Sequence, residues 1–371
     1  MAAALTIRLS ASPGEQRVAL LAGDRLVEAW VDRPGAPDGV GDLHRARVVA
    51  LAPAMAGAFV ALAGGVTGFL PESEASAERL PLAKAVHEGL VLPVRVTRSA
   101  QGGKGPRVSA RLGVAVPALP LPLGNQPALL ARGPGAAERL AAAYPDAAVL
   151  VDDAAVLASL RPRLGQRLQL LREPAFDDAL EAEFEALAQH ELALPGGGRL
   201  LICPTPALTA LDVDTGGAAP REVNEAALLE AARQIRLRNL AGGIVLDVAG
   251  LPVKRRAALE APLRAALAPD PLVMLLGLGP LGLFEMRRSR VHAPLHEVLG
   301  WPLSPLSHGL AALRRVAREA AAQPGRRLAL RAAPAVLAAL RALPGALEAA
   351  GPLELRAEPG LPWGEESIDG A

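Results

Sequence analysis

The chain has 371 residues, 39 lysines and arginines against 38 aspartates and glutamates for a net charge of +1, and one cysteine, Cys203. That length suggests two or three domains at roughly 150 residues each, and the balanced charge leaves any polyanion contact to local patches. A lone cysteine excludes an internal disulfide framework and a cysteine-rich zinc site, while 51% hydrophobic and 21% charged residues exclude a disordered chain.

In chain order, the N-terminus carries no basic segment leading into a long apolar core. No signal peptide is expected, and a cytoplasmic location follows. TIRLSA, RVALLAG and RLVEAWV read as strands, with Ala22, Gly23 and Asp24 as a hairpin turn. After the loop GAPDGVG come five candidate strands, HRARVVALAP, AGAFVALA, TGFLPE, LVLPVRVTR and GPRVSARL, punctuated by Gly and Pro. Five short strands over about 70 residues fit an OB-type barrel. Residues 114 to 135 read as loop. Residues 136 to 194 alternate helices (AAERLAAAY, FDDALEAEFEALAQHEL) with short strands (AAVLV, RLQLL), and PGGG at Pro195 to Gly198 is a sharp turn.

From Arg199 the alternation is clear: strands RLLICP and LTALDVD, helix VNEAALLEAARQIRLRNL, strand GGIVLDV, helix VKRRAALEAPLRAALA and strand PLVMLLGL. Strands separated by helices imply a sheet with crossover connections. The longest apolar stretch, Leu272 to Met286, is broken by Gly277, Gly279, Pro280 and Gly282, so no transmembrane helix is expected. The chain then reads as helix HGLAALRRVAREAAAQ followed by strand, helix and strand.

Asp212 and Asp214 are two apart near a strand end and share one face. Asp247 ends another apolar strand. Were those strands neighbours, three carboxylates would converge, and like charges that close need a cation or shifted pKa values. Oxygen ligands with room for water suit Mg²⁺ or Mn²⁺. The alternative is that each Asp merely ends a strand at a polar loop. Residues 95 to 111 hold Arg95, Arg98, Lys104, Arg107 and Arg111 and no acid, with Lys104 in a flexible QGGKG tip. Phe59 and Phe69 lie upstream. Two rings beside a basic loop make a stacking platform for single-stranded bases, or both rings are barrel core. Basic clusters at Arg233, Arg236 and Arg238, at Lys254 to Arg256, and at Arg287, Arg288 and Arg290 ordinarily mark solvated faces. GLGPLG matches G-x-G-x-x-G, but Pro280 lies inside it and no acid follows at the required distance, so a dinucleotide site is rejected. His292 and His296 lack an HExxH context, so zinc is not expected.

The segments LTALDVDTGG, ARQIRLRNLAGGIVLDV and GLGPLGLFEMRRSR resemble the catalytic core of the ribonuclease E/G family of bacterial endoribonucleases. VGDLHRARVVALAPAMAGAFVALAGGVTGFLPESE is similar to that family's S1-type OB domain, and QGGKGPRVSARL to its basic loop. LELRAEPGLP resembles its small C-terminal domain. The resemblance implies N-terminal strands over 1–35 that pack with a reduced RNase H-like region over 114–195, and an OB domain over 36–113. It further implies a DNase I-like α/β catalytic domain over 196–300 and a linker with a small α+β domain over 301–371.

By the same resemblance Asp212 and Asp247 match magnesium-binding aspartates, with Mn²⁺ a possible substitute, and Asp214 stands where the family commonly has an asparagine that orients the site. Phe59 and Phe69 match the aromatic pocket and Lys104 the basic loop, and these three with Arg107, Arg287 and Arg290 are the residues expected to bind RNA. The implied activity is Mg²⁺-dependent cleavage of single-stranded RNA that leaves 5′-phosphates. The alternative is an RNA-binding descendant with little or no cleavage. Two family features have no counterpart: the cysteines of a zinc link, so any oligomer would form by other contacts, and the loop that senses a 5′-monophosphate. No membrane partner is expected.

Overall fold

A computed structural model describes residues 4–112 and 124–370. Residues 114–123 of the expected loop fall outside the described residues. Contacts divide the chain into two units. One holds the segment up to Pro37, Ala136–Ser289 and the chain from Pro294. The other holds Asp38–Gly135 and Arg290–Ala293.

In the first unit the N-terminal strands are Leu5–Ser12, Glu15–Ala22 and Arg25–Asp32, paired antiparallel. Gly23 turns the last two with φ 59, a left-handed conformation that favours glycine. Leu5–Ser12 takes Ala148–Val151 as a parallel neighbour, Ile7 opposite Val149, and Leu168–Leu170 adds beyond it. Ile7, Leu9, Val18 and Leu20 bury one face with Leu140 and Leu157 of helices Ala136–Ala143 and Ala154–Leu164. Ala19, Leu21 and Leu26 bury the other with Leu180 and Phe184 of helix Asp178–Ala186. A strand covered on both sides reads as a continuous apolar run, which explains VALLA.

The same unit contains a six-stranded sheet in the order Glu191–Ala193, Arg199–Pro204, Leu208–Asp214, Gly242–Asp247, Phe284–Arg288, Val273–Leu278. The sequence reading missed Phe284–Arg288, which inserts between Gly242–Asp247 and Val273–Leu278. GLGPLG is the hairpin that brings it back: Gly279 donates to Leu283 O at 2.8 Å, and Gly282 to Gly279 O at 2.9 Å. The alternation was present, with Phe284, Met286 and Arg288 buried and Arg287 exposed.

One face of this sheet packs Leu211, Val213, Ile244, Leu246 and Phe284 against Val223, Ala227, Leu228, Ala231 and Ile235 of helix Pro220–Leu237. Those helix positions recur every three to four residues, the spacing of one helical face. Pro220 at the first position, Glu222 in the first turn and Arg236 in the last suit the helix ends and dipole. Toward the C-terminus, Leu353–Ala357, Leu328–Ala332 and Ser367–Gly370 form a three-stranded sheet packed on helices Pro305–Ala322 and Pro334–Ala342. The strand Ser367–Gly370 was not foreseen from the sequence.

The second unit is a closed five-stranded barrel consistent with an OB fold. Leu43–Ala52 pairs with both Gly57–Ala61 and Val91–Arg98, and Thr67–Pro71 and Arg107–Ser109 complete the ring. Ala128–Ala131 adds outside, against Leu43–Ala52. Ala46, Val48, Ala58, Val60, Leu70, Val94, Val96 and Val108 fill the interior.

Candidate functional site

Leu208–Asp214 and Gly242–Asp247 form the one parallel pair of the six-stranded sheet, and their register sets Asp212 directly opposite Asp247. Leu211, Val213 and Leu246 point to the helix-covered core. Alternation therefore puts Ala210, Asp212, Asp214, Val245 and Asp247 on the other face. Neighbouring strands lie about 4.8 Å apart, so both carboxylates can reach one cation. Asp212 is exposed, and among the described residues its side chain has no ion-pair partner. Asp247 is half-exposed, and its Oδ1 accepts from Arg256 Nη1 at 2.7 Å.

The expected convergence of three carboxylates does not occur. Among the described residues no three His, Cys, Asp or Glu side chains gather as a metal-binding group. Residues two apart on a strand are separated by about 6.6 Å, and Asp214 is drawn the other way. Its Oδ2 accepts from Arg199 Nε and Nη2 at 2.9 and 2.7 Å, and its Oδ1 from Gly216 N–H at 3.0 Å. The Gly216 N–H and the Arg199 guanidinium hold this carboxyl below the usual range.

Several backbone clamps fix the end of the Asp247 strand. Buried Asn224 donates from Nδ2 to Ala249 O at 2.8 Å, and its Oδ1 accepts from Ala249 N–H at 3.0 Å. Arg256 Nε donates to Leu251 O at 2.9 Å and Nη1 to Gly282 O at 2.8 Å. On the next strand Glu285 stands opposite Val245 on the same open face. Its carboxylate lies over Gly279, where an added Cβ would meet Oε1 at 1.9 Å.

The basic clusters separate. Arg287 is exposed, opposite Gly243 on the open face. Arg288 is buried and donates to Asp270 Oδ2 at 2.7 Å and Asn239 Oδ1 at 2.7 Å. Arg233, Arg236 and Arg238 are not a solvated face. Arg233 is paired with Glu183 and Glu230, and Arg236 with Glu28. Arg238 donates to Gln234 Oε1 and Gln189 O from a buried position that pushes its pKa down to about 10. Arg290 belongs to the barrel unit, where its Nη2 donates to Ala100 O at 2.9 Å.

In the barrel, Phe59 and Phe69 stand directly opposite each other in register, ring centroids 5.7 Å apart and edge to face. Neither belongs to the barrel core. Ala58, Val60, Gly68 and Leu70 point inward, so both rings are on the outer surface and half-buried. Phe69 leans over Gly57, where a Cβ would meet its Cζ at 2.4 Å. Arg107, exposed, is the partner of Phe69 on the following strand, which continues the row of rings into a cation. Lys104 is exposed at the tip of a tight turn closed by reciprocal Gln101 and Lys104 backbone bonds, with Gly102 and Gly103 at φ 53 and 77.

Two elements of this candidate site escaped the sequence: Arg199 as the partner of Asp214, and Asn224 as the clamp behind Asp247. Arg256 was visible only as part of a basic cluster.

Comparison with known proteins agrees with the motifs. The sequence profile of the Ribonuclease E/G family matches residues 143–291. Ribonuclease E of Escherichia coli K12 is 27% identical over 76% of this chain and 36% of its own length. Ribonuclease G of Salmonella typhimurium is 33% identical over 39% of this chain and 32% of its own, and ribonuclease E of Haemophilus influenzae 34% identical over 37% and 16%. The chain thus spans about a third or less of the length of these relatives, and it is related to the Ribonuclease E/G family.

Proposed function

We propose that this chain, a relative of the ribonucleases E and G, is an endoribonuclease that cuts single-stranded RNA at a divalent-ion site held by Asp212 and Asp247. The observation that carries this reading is the register of the one parallel pair, which sets those two carboxylates side by side on an open sheet face. Two carboxylates at that spacing, one of them with no ion-pair partner among the described residues, suit a hard divalent cation, and Mg²⁺ is the ion proposed, with Mn²⁺ as a substitute. When bound, the ion supplies a Lewis acid for the phosphodiester and an acidified water.

The chain's own residues do the rest. Asn224 and Arg256 hold the Asp247 strand end, so the carboxylate is oriented before substrate arrives. Arg287 on the same face offers a cation to a backbone phosphate. In the barrel, Phe59 and Phe69 offer faces for bases, with Arg107 and Lys104 for the phosphates between them. Hydrolysis with O3′ as leaving group gives 5′-phosphate ends. The five-stranded sheet is read as a reduced RNase H-like layer and the six-stranded sheet as a DNase I-like catalytic layer. Among the described residues no helix is long and apolar enough to cross a membrane, and a cytoplasmic role in RNA processing and decay is proposed.

A second reading, RNA binding without cleavage, is favoured by Arg256 already occupying one oxygen of Asp247. Incubating a short fluorescent single-stranded RNA with the protein, with and without Mg²⁺, beside Asp212→Asn, decides between them. Internal cuts that need both Mg²⁺ and Asp212 support the nuclease. Retarded but intact RNA under every metal condition supports the second reading.

A further inference from the structure

The two carboxylates that face each other are not equivalent. Asp212 is exposed and has no ion-pair partner among the described residues, whereas Asp247 Oδ1 is taken by Arg256 Nη1 at 2.7 Å. The arginine is not a loose surface partner. Its side chain is only 18% exposed. It is bound at three points on three segments: the strand end at Asp247, the following loop at Leu251 O, and the hairpin turn at Gly282 O. The guanidinium thus places a cation, donating from a fixed fork, beside a carboxylate expected to hold another.

We infer that Arg256 sets how tightly the Asp212 and Asp247 pair holds a divalent ion. It positions Asp247 and competes with the ion for that carboxylate. This rests on the metal-site reading above and adds a control to it. With Arg256 in place the pair presents a net charge of about −1 instead of −2, and an incoming dication meets a like charge close by. The ion must use the free oxygen of Asp247 or displace the guanidinium, so the free protein loads weakly. An RNA phosphate brings the missing negative charge and is itself a good partner for the guanidinium. Loading is then coupled to substrate, and by linkage the ion raises RNA affinity by the same factor that RNA raises ion affinity.

The test is Mn²⁺ binding, read by the loss of the free-ion electron paramagnetic resonance signal, on the full chain without RNA. Wild type, Arg256→Gln, Arg256→Lys and the double variant Arg256→Gln/Asp212→Asn are compared after circular dichroism shows them folded. Removing the charge in Arg256→Gln should tighten Mn²⁺ by about tenfold, the effect of one unit charge a few ångströms from a dication in a wet site. Arg256→Lys keeps the charge and should stay near wild type, and the double variant should lose the gain. In wild type, the Arg256 side-chain N–H resonance should shift as Mg²⁺ is added, which reads the same competition without a substitution.

Equal or weaker Mn²⁺ binding in folded Arg256→Gln overturns the inference, as does an Arg256 resonance unmoved at saturating Mg²⁺. If those results come with Asp212-dependent RNA cleavage, the nuclease reading stands and only the control by Arg256 falls. If no variant binds Mn²⁺ and no RNA is cut, both fall together.

Discussion

Arg199 stands opposite Asp214 across an antiparallel pair and donates twice to a single carboxylate oxygen, from Nε at 2.9 Å and Nη2 at 2.7 Å. With the other oxygen on Gly216 N–H, Asp214 is committed to its own loop. An asparagine there keeps a single acceptor oxygen, so it retains the bond from Gly216 N–H or those from Arg199 and turns its Nδ2 toward the other. Asp214→Asn should therefore cleave RNA within about threefold of wild type, because an exposed ion pair contributes little. A rate lost entirely in that variant would give Asp214 a direct part in the chemistry.

Asp212→Asn and Asp247→Asn should each abolish cleavage while single-stranded RNA still binds in low salt. A gel-shift beside the cleavage assay reads both. The two losses should be far from additive in the double variant, since removing either member already empties the pair.

Phe59 and Phe69 lie outside the barrel core, so replacing either should spare the fold and weaken RNA. Phe59→Ala is expected to cost about 1–3 kcal/mol of binding if one base stacks on it. Fluorescence anisotropy measures the affinity and thermal denaturation the fold. Lys104→Ala and Arg107→Ala should each reduce the slope of log affinity against log salt by about 0.7, the value for one phosphate contact on a single strand. A barrel that melts in Phe59→Ala with RNA affinity intact would make the ring a structural cover only.

Arg287 and Arg288 are neighbours with opposite fates. Arg287→Ala should leave stability unchanged and weaken RNA binding, since its side chain is exposed on the open face. Arg288→Ala leaves buried Asp270 without its guanidinium, and should cost about 3–5 kcal/mol of stability, as for breaking any buried pair by removing one partner. Urea denaturation of the two variants separates them.

Acid should unfold the first unit in part through Glu181. Burial pushes this carboxyl up, but two hydrogen bonds from Arg17 and the charges of Arg17, Arg318 and Arg314 outweigh burial and hold it below the usual range. A carboxyl with a lower pKa folded than unfolded adds stability that is complete above its unfolded value. That stability is lost as pH falls through the folded value, here a window below about pH 4.3. Glu181→Gln should lower stability at neutral pH and flatten the acid limb of a denaturation curve.

Much of the fold was legible because strands and helices announce themselves by local periodicity. TIRLSA, GGIVLDV and the five barrel strands alternate or run apolar between Gly and Pro, and the structure places strands there. Register is not local. That Asp212 faces Asp247 depends on a crossover through an 18-residue helix, and a slip of one residue would have turned one carboxylate into the core. The strand Phe284–Arg288 was missed because its alternation follows a glycine-rich hairpin that resembles a nucleotide loop. The basic runs misled in another way. Arg233, Arg236, Arg238 and Arg288 look like surface charge in a sequence window, and only their distant partners at Glu183, Glu28, Gln189 and Asp270 show Arg238 and Arg288 as buried clamps and Arg233 and Arg236 as half-buried ones.

The barrel unit includes four residues, Arg290–Ala293, that the chain supplies only after the sheet strand Phe284–Arg288 is complete. Val291 O accepts from Ser99 N–H, and His292 Nδ1 lies 2.7 Å from Asp38 Oδ2 across 254 residues of sequence. On a ribosome the barrel's own strands emerge early and can close at once, whereas these last contacts must wait for the rest of the chain. Synthesis thus leaves a long interval in which the barrel is closed but unfinished, and pairings this remote in sequence form slowly. Nascent chains arrested before Arg290 should therefore carry a barrel more open to protease than the finished protein does.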